Sequence, residues 1–222
     1  MISKMNENYQ ITDIQVKKSN INKIRLFIND QFFIETDDNI IRELDLYIGK
    51  IVSKKVLVSI EQRNEVSKAR NEAIRFLSYR PRSEWEVRRK LEEKKISHDI
   101  IENIICWLKD QNLINDREFS LQWLRYQVNK KPSGKIKLKN ELYKKRINRK
   151  IIDSVIDSFF KQDNDELELA YRLVEKKSNS LQSKNIKLEP KKIINLLKSQ
   201  GFSPQIIQQI YEEKFESQDN QY

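Results

Sequence analysis

Cysteine and histidine each occur once in this chain of 222 residues, glycine three times and proline four times. Each scarcity excludes something. A lone cysteine, Cys106, leaves no disulfide framework within one chain. Set among Ile104, Ile105, Trp107 and Leu108, it is expected to be a small buried side chain. With one histidine and no Cys-x-x-Cys or His-x-x-x-His spacing, no metal site can be read. So few glycines argue against phosphate-cradling loops, turn-rich β-sandwiches and long flexible linkers. No Walker loop, dinucleotide fingerprint or nucleophile elbow occurs. No apolar run approaches the roughly 20 residues that a membrane helix needs. Met1–Tyr9 is polar, so no secretory leader is expected either. His98 directly follows a helix-cap serine and reads as a solvated first-turn residue. The acidic pairs Asp37-Asp38, Glu92-Glu93 and Glu212-Glu213 lie on polar faces. A non-enzyme without cofactor or metal, in a reducing compartment, is the expectation.

What is abundant is charge at helical spacing. Apolar residues make up 38% and charged residues 34%, which allows a core under a densely charged surface. Lys, Glu, Leu and Ile dominate, and they favour helix.

One spacing occurs three times. It reads Leu91, Ile96, Ile100-Ile101, Ile104-Ile105, then Leu142, Ile147, Ile151-Ile152, Val155-Ile156, then Leu197, Phe202, Ile206-Ile207, Ile210-Tyr211. A residue of helix N-cap type follows the second landmark each time: Ser97, Asn148, Ser203. Another apolar residue precedes the first by four positions: Val87, Leu138, Ile193. Repeats at offsets of 51 and 55 residues, with unrelated polar residues between, indicate one supersecondary unit copied in tandem.

The remainder fits around that unit. Residues 10–35 alternate as strands, with Asn29-Asp30 as a tight turn. Asp37-Asp38-Asn39 caps a short helix that Gly49 ends, and Ser53 opens a long helix stopped by Pro81. Each repeat then reads as three helices. The first uses the tail of the long helix with 84–95 and 98–110, the second about 116–128, 134–146 and 149–161, the third about 164–177, 190–200 and 204–214. A capping box, Ser83 with Glu86, starts the helix at 84. The expected layout is a β-rich region at 1–52, repeats at 53–113, 114–162 and 163–216, and a disordered tail at 217–222. The fold class is mainly α: tandem three-helix, helix-turn-helix-like repeats in an elongated curved module after a small antiparallel β region. Spacing alone does not separate a groove-reading helix-turn-helix from a compact three-helix bundle.

The net charge of +10 is unevenly placed. Residues 1–61 are net 0, 62–116 net +2, 117–161 net +9 and 162–222 net −1. Nearly all the excess sits on the middle repeat, an electrostatic footprint suited to a polyanion or an acidic protein surface. Lys130, Lys131, Lys135 and Lys139 flank Pro132 and Gly134, and Lys145, Arg146 and Arg149 follow across the next turn. Arg80 and Arg82 around Pro81 form a smaller basic point with bidentate capacity. These nine residues are the candidate contact set. The aromatics Trp85, Trp107, Trp123 and Tyr126 suit core packing or interface anchoring better than base stacking.

The stretch Ala73-Ile-Arg-Phe-Leu-Ser-Tyr-Arg-Pro-Arg-Ser83, with Glu86-Val87 and Leu91, resembles the RecX family of regulatory proteins. So do Leu113-Ile-Asn-Asp116 with Phe119, and Lys131-Pro-Ser-Gly134 with Leu138 and Glu141-Leu142. The resemblance covers Ser67 to Glu213. It departs at Asn112, where the family has Gly; Asn also tolerates the left-handed conformation. The resemblance implies a cytoplasmic bacterial protein with no catalytic residues to carry over; a monomer without membrane contact is expected. Its implied partner is the RecA recombinase and its filament on single-stranded DNA. The implied role is modulation, by inhibition, of ATP hydrolysis, strand exchange, homologous recombination and SOS signalling. A weak direct contact with DNA is left open. The rival reading is a tandem helix-turn-helix DNA-binding protein of transcription-factor type.

Overall fold

The computed structural model describes residues 8–163, 165–183 and 189–216. The expected tail, Ser217–Tyr222, and residues 184–188 of the connection expected at Ser178–Glu189 lie outside them. The chain divides into two compact units, Met1–Tyr79 with Arg89–Trp107, and Arg80–Arg88 with Leu108–Tyr222.

In the first unit, β1 (Tyr9–Lys17), β2 (Asn20–Ile28) and β3 (Gln31–Asp37) form the antiparallel meander. Asn29 and Asp30 join the last two with φ of 50° and 65°, the pair of positive values that a two-residue hairpin turn needs. Helix α1 (Asp38–Glu43) follows with Asp37 at its N-cap. It ends earlier than Gly49: Asp45, at φ 50°, closes it, with its N–H on Arg42 O and that of Leu46 on Ile41 O. A fourth strand, β4 (Ile51–Val52), pairs with β1 and gives the order β3-β2-β1-β4. Two residues are too few to show alternation, so the sequence hid it. Helix α2 (Lys54–Ser78) starts at Ser53 as expected. Ile11, Ile24, Leu26, Ile40, Ile41, Leu57 and Ile60 form the core of this unit. Asn64 ties α2 to the sheet by donating its side-chain amide to Glu35 O at 3.0 Å.

The remaining helices are α3 (Glu84–Glu93), α4 (His98–Asp110), α5 (Asp116–Lys130), α6 (Lys135–Lys144), α7 (Arg149–Ser158), α8 (Glu166–Gln182), α9 (Pro190–Ser199) and α10 (Pro204–Tyr211). One π-helical turn extends α7 over Phe159–Asp163 and another extends α10 over Glu212–Glu216. In the second unit Leu124, Leu138, Leu142, Ile152, Val155, Phe159, Leu173, Leu197, Phe202 and Ile210 belong to one continuous core. Cys106 corrects the expectation: Ile101, Ile104, Ile105 and Leu108 take the buried stripe of α4 and Cys106 is exposed.

The triple spacing has a hydrogen-bond explanation. In α3 the Ile96 N–H donates to Leu91 O at 3.2 Å and the Lys95 N–H to Glu92 O at 2.8 Å. The same pair recurs in α6, from Ile147 to Leu142 (3.3 Å) and Arg146 to Tyr143 (2.9 Å). It recurs again in α9, from Phe202 to Leu197 (3.2 Å) and Gly201 to Lys198 (3.0 Å). This is the Schellman arrangement, in which an apolar residue past the helix end covers one inside it. It demands a left-handed residue between them, and Lys95, Arg146 and Gly201 have φ of 59°, 59° and 72°. Asn112 fills that role for α4 at φ 54°, as its identity suggested. After each turn the helical ladder restarts from Ser97, Asn148 and Ser203, whose carbonyls accept from Ile101, Ile152 and Ile207. Asn148 also caps with its side chain, to Lys150 N. Ser203 does not cap; its hydroxyl donates to Glu166.

Candidate partner-binding surface

Within the second unit, the motifs Arg80-Pro81-Arg82-Ser83 and Lys131-Pro132-Ser133-Gly134 occupy equivalent joints, each leading into the second helix of a repeat. Much of what makes them recognisable is buried: Ser83 and Ser133 are both 0% exposed. The capping box forms in full, the Ser83 N–H donating to Glu86 Oε2 (3.0 Å) and the Glu86 N–H to Ser83 Oγ (3.3 Å). A second carboxylate reaches each joint from the helix beyond it. Asp116, first in α5, accepts from the Glu84 N–H at 2.8 Å. Glu166, first in α8 and 5% exposed, accepts from the Lys135 N–H at 3.0 Å and the Ser203 N–H at 3.3 Å. Burial pushes the Asp116 carboxyl up; the Glu84 N–H pulls it down, and the neighbouring Glu84 charge adds to the rise.

At the second joint backbone meets backbone. The Gly134 N–H donates to Gln200 O at 2.9 Å and the Ile136 N–H to Gly201 O at 3.1 Å, so the open amides of α6 meet the open carbonyls of α9. A Cβ on Gly134 would overlap the Gly201 carbonyl, and one on Gly201 would overlap the Lys137 backbone. Two of the three glycines therefore serve one close approach. Lys137 Nζ donates to Gln200 Oε1 at 2.8 Å across it.

The nine candidate cations fall into groups. Arg80 grips Glu86 with both terminal nitrogens, at 2.6 and 3.4 Å, and also donates to Pro81 O at 2.9 Å. Arg82, with a side chain only 15% exposed, places Nη1 3.9 Å from the same carboxylate. Burial, then the Arg80 charge, push the Arg82 guanidinium down, and Glu86 opposes them. Lys145 lies over the rings of Trp123 (5.5 Å) and Phe119 (5.9 Å), and its charge also reaches Glu86. Burial raises the Glu86 carboxyl, but hydrogen bonds from Arg80 and the Ser83 N–H outweigh it and hold the group below its ordinary range. Lys139 pairs with Asp153, which holds the lysine above its usual range, and Arg149 Nε stands 3.8 Å from Asp153. Lys135 Nζ is 3.8 Å from Glu166 and 5.1 Å from the Phe160 ring centre. The side chains of Lys130, Lys131 and Arg146 are exposed and have no acidic partner among the described residues.

The structure thus brings Arg80 and Arg82 to one carboxylate and Lys139 and Arg149 to another, while Lys145 lies over Trp123 and Phe119. Sequence reasoning singled out cations and missed the carboxylates that organise them. Glu86 carried a signal in its capping-box spacing, and Asp153 one in lying four residues after Arg149 on the same helix. His98 lies in the first turn of α4, 81% exposed and 3.7 Å from Glu102. Among the described residues no group of three His, Cys, Asp or Glu side chains could hold a metal ion, and no helix is long and apolar enough to cross a membrane.

Known proteins match this arrangement. Residues 69–108 match the RecX first three-helix domain and residues 115–156 the second. The regulatory protein RecX of Listeria welshimeri is 31% identical over 199 residues, covering 89% of this chain and 72% of that protein. The regulatory protein RecX of Clostridioides difficile is 30% identical over 200 residues, covering 90% and 93%. A crystal structure of RecX from Lactobacillus salivarius aligns with a TM-score of 0.60 and 31% identity over 68% of this chain and 97% of its own. Another crystal structure of regulatory protein RecX, 21% identical, shares the fold with a TM-score of 0.73 over 94% of this chain and 99% of its own. With the repeats, their joints and these relatives in agreement, the chain belongs to the RecX family of regulatory proteins.

Proposed function

We propose that this chain binds the RecA recombinase, or its filament on single-stranded DNA, and lowers its ATP hydrolysis and strand exchange. The observation that carries the reading is membership of a regulatory family over about nine-tenths of the chain. The charge pattern supports it. The excess of basic side chains lies within residues 117–161, on the helices α5 to α7 and the turns between them, and includes Lys130, Lys131 and Arg146. The chemistry that the described residues offer is charge, held on packed helices for a polyanionic or acidic surface. The chain acts as a regulator rather than an enzyme.

Co-sedimentation with RecA filaments tests the reading. The variant Lys130→Glu/Lys131→Glu/Arg146→Glu should pellet with filaments at least tenfold less well, by order of magnitude for several lost charge contacts, with an unchanged circular dichroism spectrum. Lys135 is left out of this set because it lies beside buried Glu166, where reversal would perturb folding. Tight, sequence-selective binding of naked duplex DNA, insensitive to the variant, would favour the helix-turn-helix reading instead.

A further inference from the structure

We infer that an apolar groove on the third repeat is a docking site for the protein partner, taking an apolar side chain carried on an acidic segment. The inference rests on the partner-binding reading above and adds a second contact to it. The groove, about 570 Å³, lies within the second unit between the start of α6 and the helices α9 and α10. Phe202 and Ile207 form its floor, 2% and 8% exposed, and Ile136 stands at its edge, 48% exposed. In the preceding copy the equivalent positions carry ions. At the offset of 55 residues, Ile194 corresponds to Lys139, Pro204 to Arg149 and Gln208 to Asp153. Lys139 pairs with Asp153, and Arg149 Nε stands 3.8 Å from it. The third copy has an isoleucine, a proline and an amide there, and all three line the open groove. An exposed apolar lining beside polar side chains marks a contact surface.

Charge selects the occupant. Lys198 is the charged side chain among those lining the groove, exposed and without an acidic partner among the described residues. Lys137, whose backbone packs on the lining residue Gly201, bonds the neutral amide of Gln200 at 2.8 Å. Glu212 accepts from Gln208 Nε2 at 2.7 Å and does not itself line the groove. Lysines left without a carboxylate beside an apolar lining suit a partner that brings both a carboxylate and an apolar anchor. A stacked base fits less well. Of the two rings in the lining, Phe202 is buried and Tyr211 stands 5.9 Å from Phe215.

The variant Ile194→Lys/Gln208→Asp installs the ion pair that the preceding copy carries at these positions and leaves the net charge unchanged. Ile136→Gln, at the exposed edge, gives the same reading should the double variant lose stability. The measurement is co-sedimentation of the full chain with RecA filaments, beside chemical denaturation. Each variant should weaken binding about tenfold, the loss of one seated apolar side chain, with Ile136→Gln keeping the native denaturation midpoint. Lys198→Glu should weaken it about three- to fivefold, the size of one exposed charge pair, and Lys198→Arg should not. Unchanged binding with Ile136→Gln overturns the inference, and unchanged binding with Lys198→Glu overturns the assignment to an acidic segment. Equal weakening of oligo-dT binding to the chain alone would make the site one for nucleic acid. Loss of a self-associated species in sedimentation would make it one for a second copy; either result overturns the inference. If the triple charge-reversal variant still loses filament binding, the partner reading survives a failure of the groove; if it too is without effect, both fall.

Discussion

The residue with the sharpest conflict between two demands is Arg146. It sits at the left-handed position that ends α6, where a side chain costs conformational energy and Gly201 stands in the equivalent turn of α9. It is also an exposed cation on the basic repeat. Arg146→Gly should separate the two demands: about 1 kcal/mol more stable by urea denaturation, yet weaker in filament binding. Lys95→Gly, in the same kind of turn of the first repeat, should gain similar stability and leave binding nearly unchanged. A loss of stability in both would show that the left-handed side chains make contacts outweighing their strain. At this scale much was legible. The spacing from Leu142 to Ile147 encodes the turn because both ends of the Schellman arrangement must be apolar. Cys106 was misread because a run of apolar neighbours in sequence is not a stripe on a helix. Position 106 falls between inward-facing 105 and 108 and points out.

Among the elements, the joints matter more than the helices they connect. Helix α6 begins against the turn that ends α9, and its first amides are satisfied by Gln200 O, Gly201 O and Glu166 rather than by a local side-chain cap. Gly134→Ala should therefore be far more costly than a glycine-to-alanine change at an ordinary helix start. We expect a loss of about 2–3 kcal/mol, in the range of overpacking a closed interface, measured by chemical denaturation. A cost below about 0.5 kcal/mol, the level of an ordinary surface substitution, would mean the two backbones separate easily. The sequence displayed this joint as Lys131-Pro-Ser-Gly134 without revealing its purpose. Hydrophobic periodicity reports which face of a helix is buried, but not which backbone atoms of a distant copy approach it. For the same reason Glu166 drew no notice: an acidic residue in a helix's first turn is common, and only the packing shows that it serves the starts of both α6 and α10.

Across the whole molecule, the repeats share a turn and a pattern of core positions but differ in charge. Residues 117–161 are net +9 while 162–222 are net −1, although their helices are built alike. Packing does not require that difference, since the repeated core positions, Leu142, Ile147, Ile152 and Val155 in one and Leu197, Phe202, Ile207 and Ile210 in the other, are apolar in both. Under the proposed function, a regulator of a filament carrying single-stranded DNA, that difference has a use. The count of charges was readable from the sequence alone. The way Asp153 of α7 engages Lys139 of α6, and Glu86 of α3 engages Arg80 in the joint before it, was not, because those ion pairs join different parts of the chain. The most direct test of the account is the rate of single-stranded-DNA-stimulated ATP hydrolysis by RecA, with this chain titrated in. The account predicts a dose-dependent fall, largely lost with Lys130→Glu/Lys131→Glu/Arg146→Glu. An unchanged rate at saturating concentrations of the native chain, with no chain recovered in the filament pellet, would contradict it.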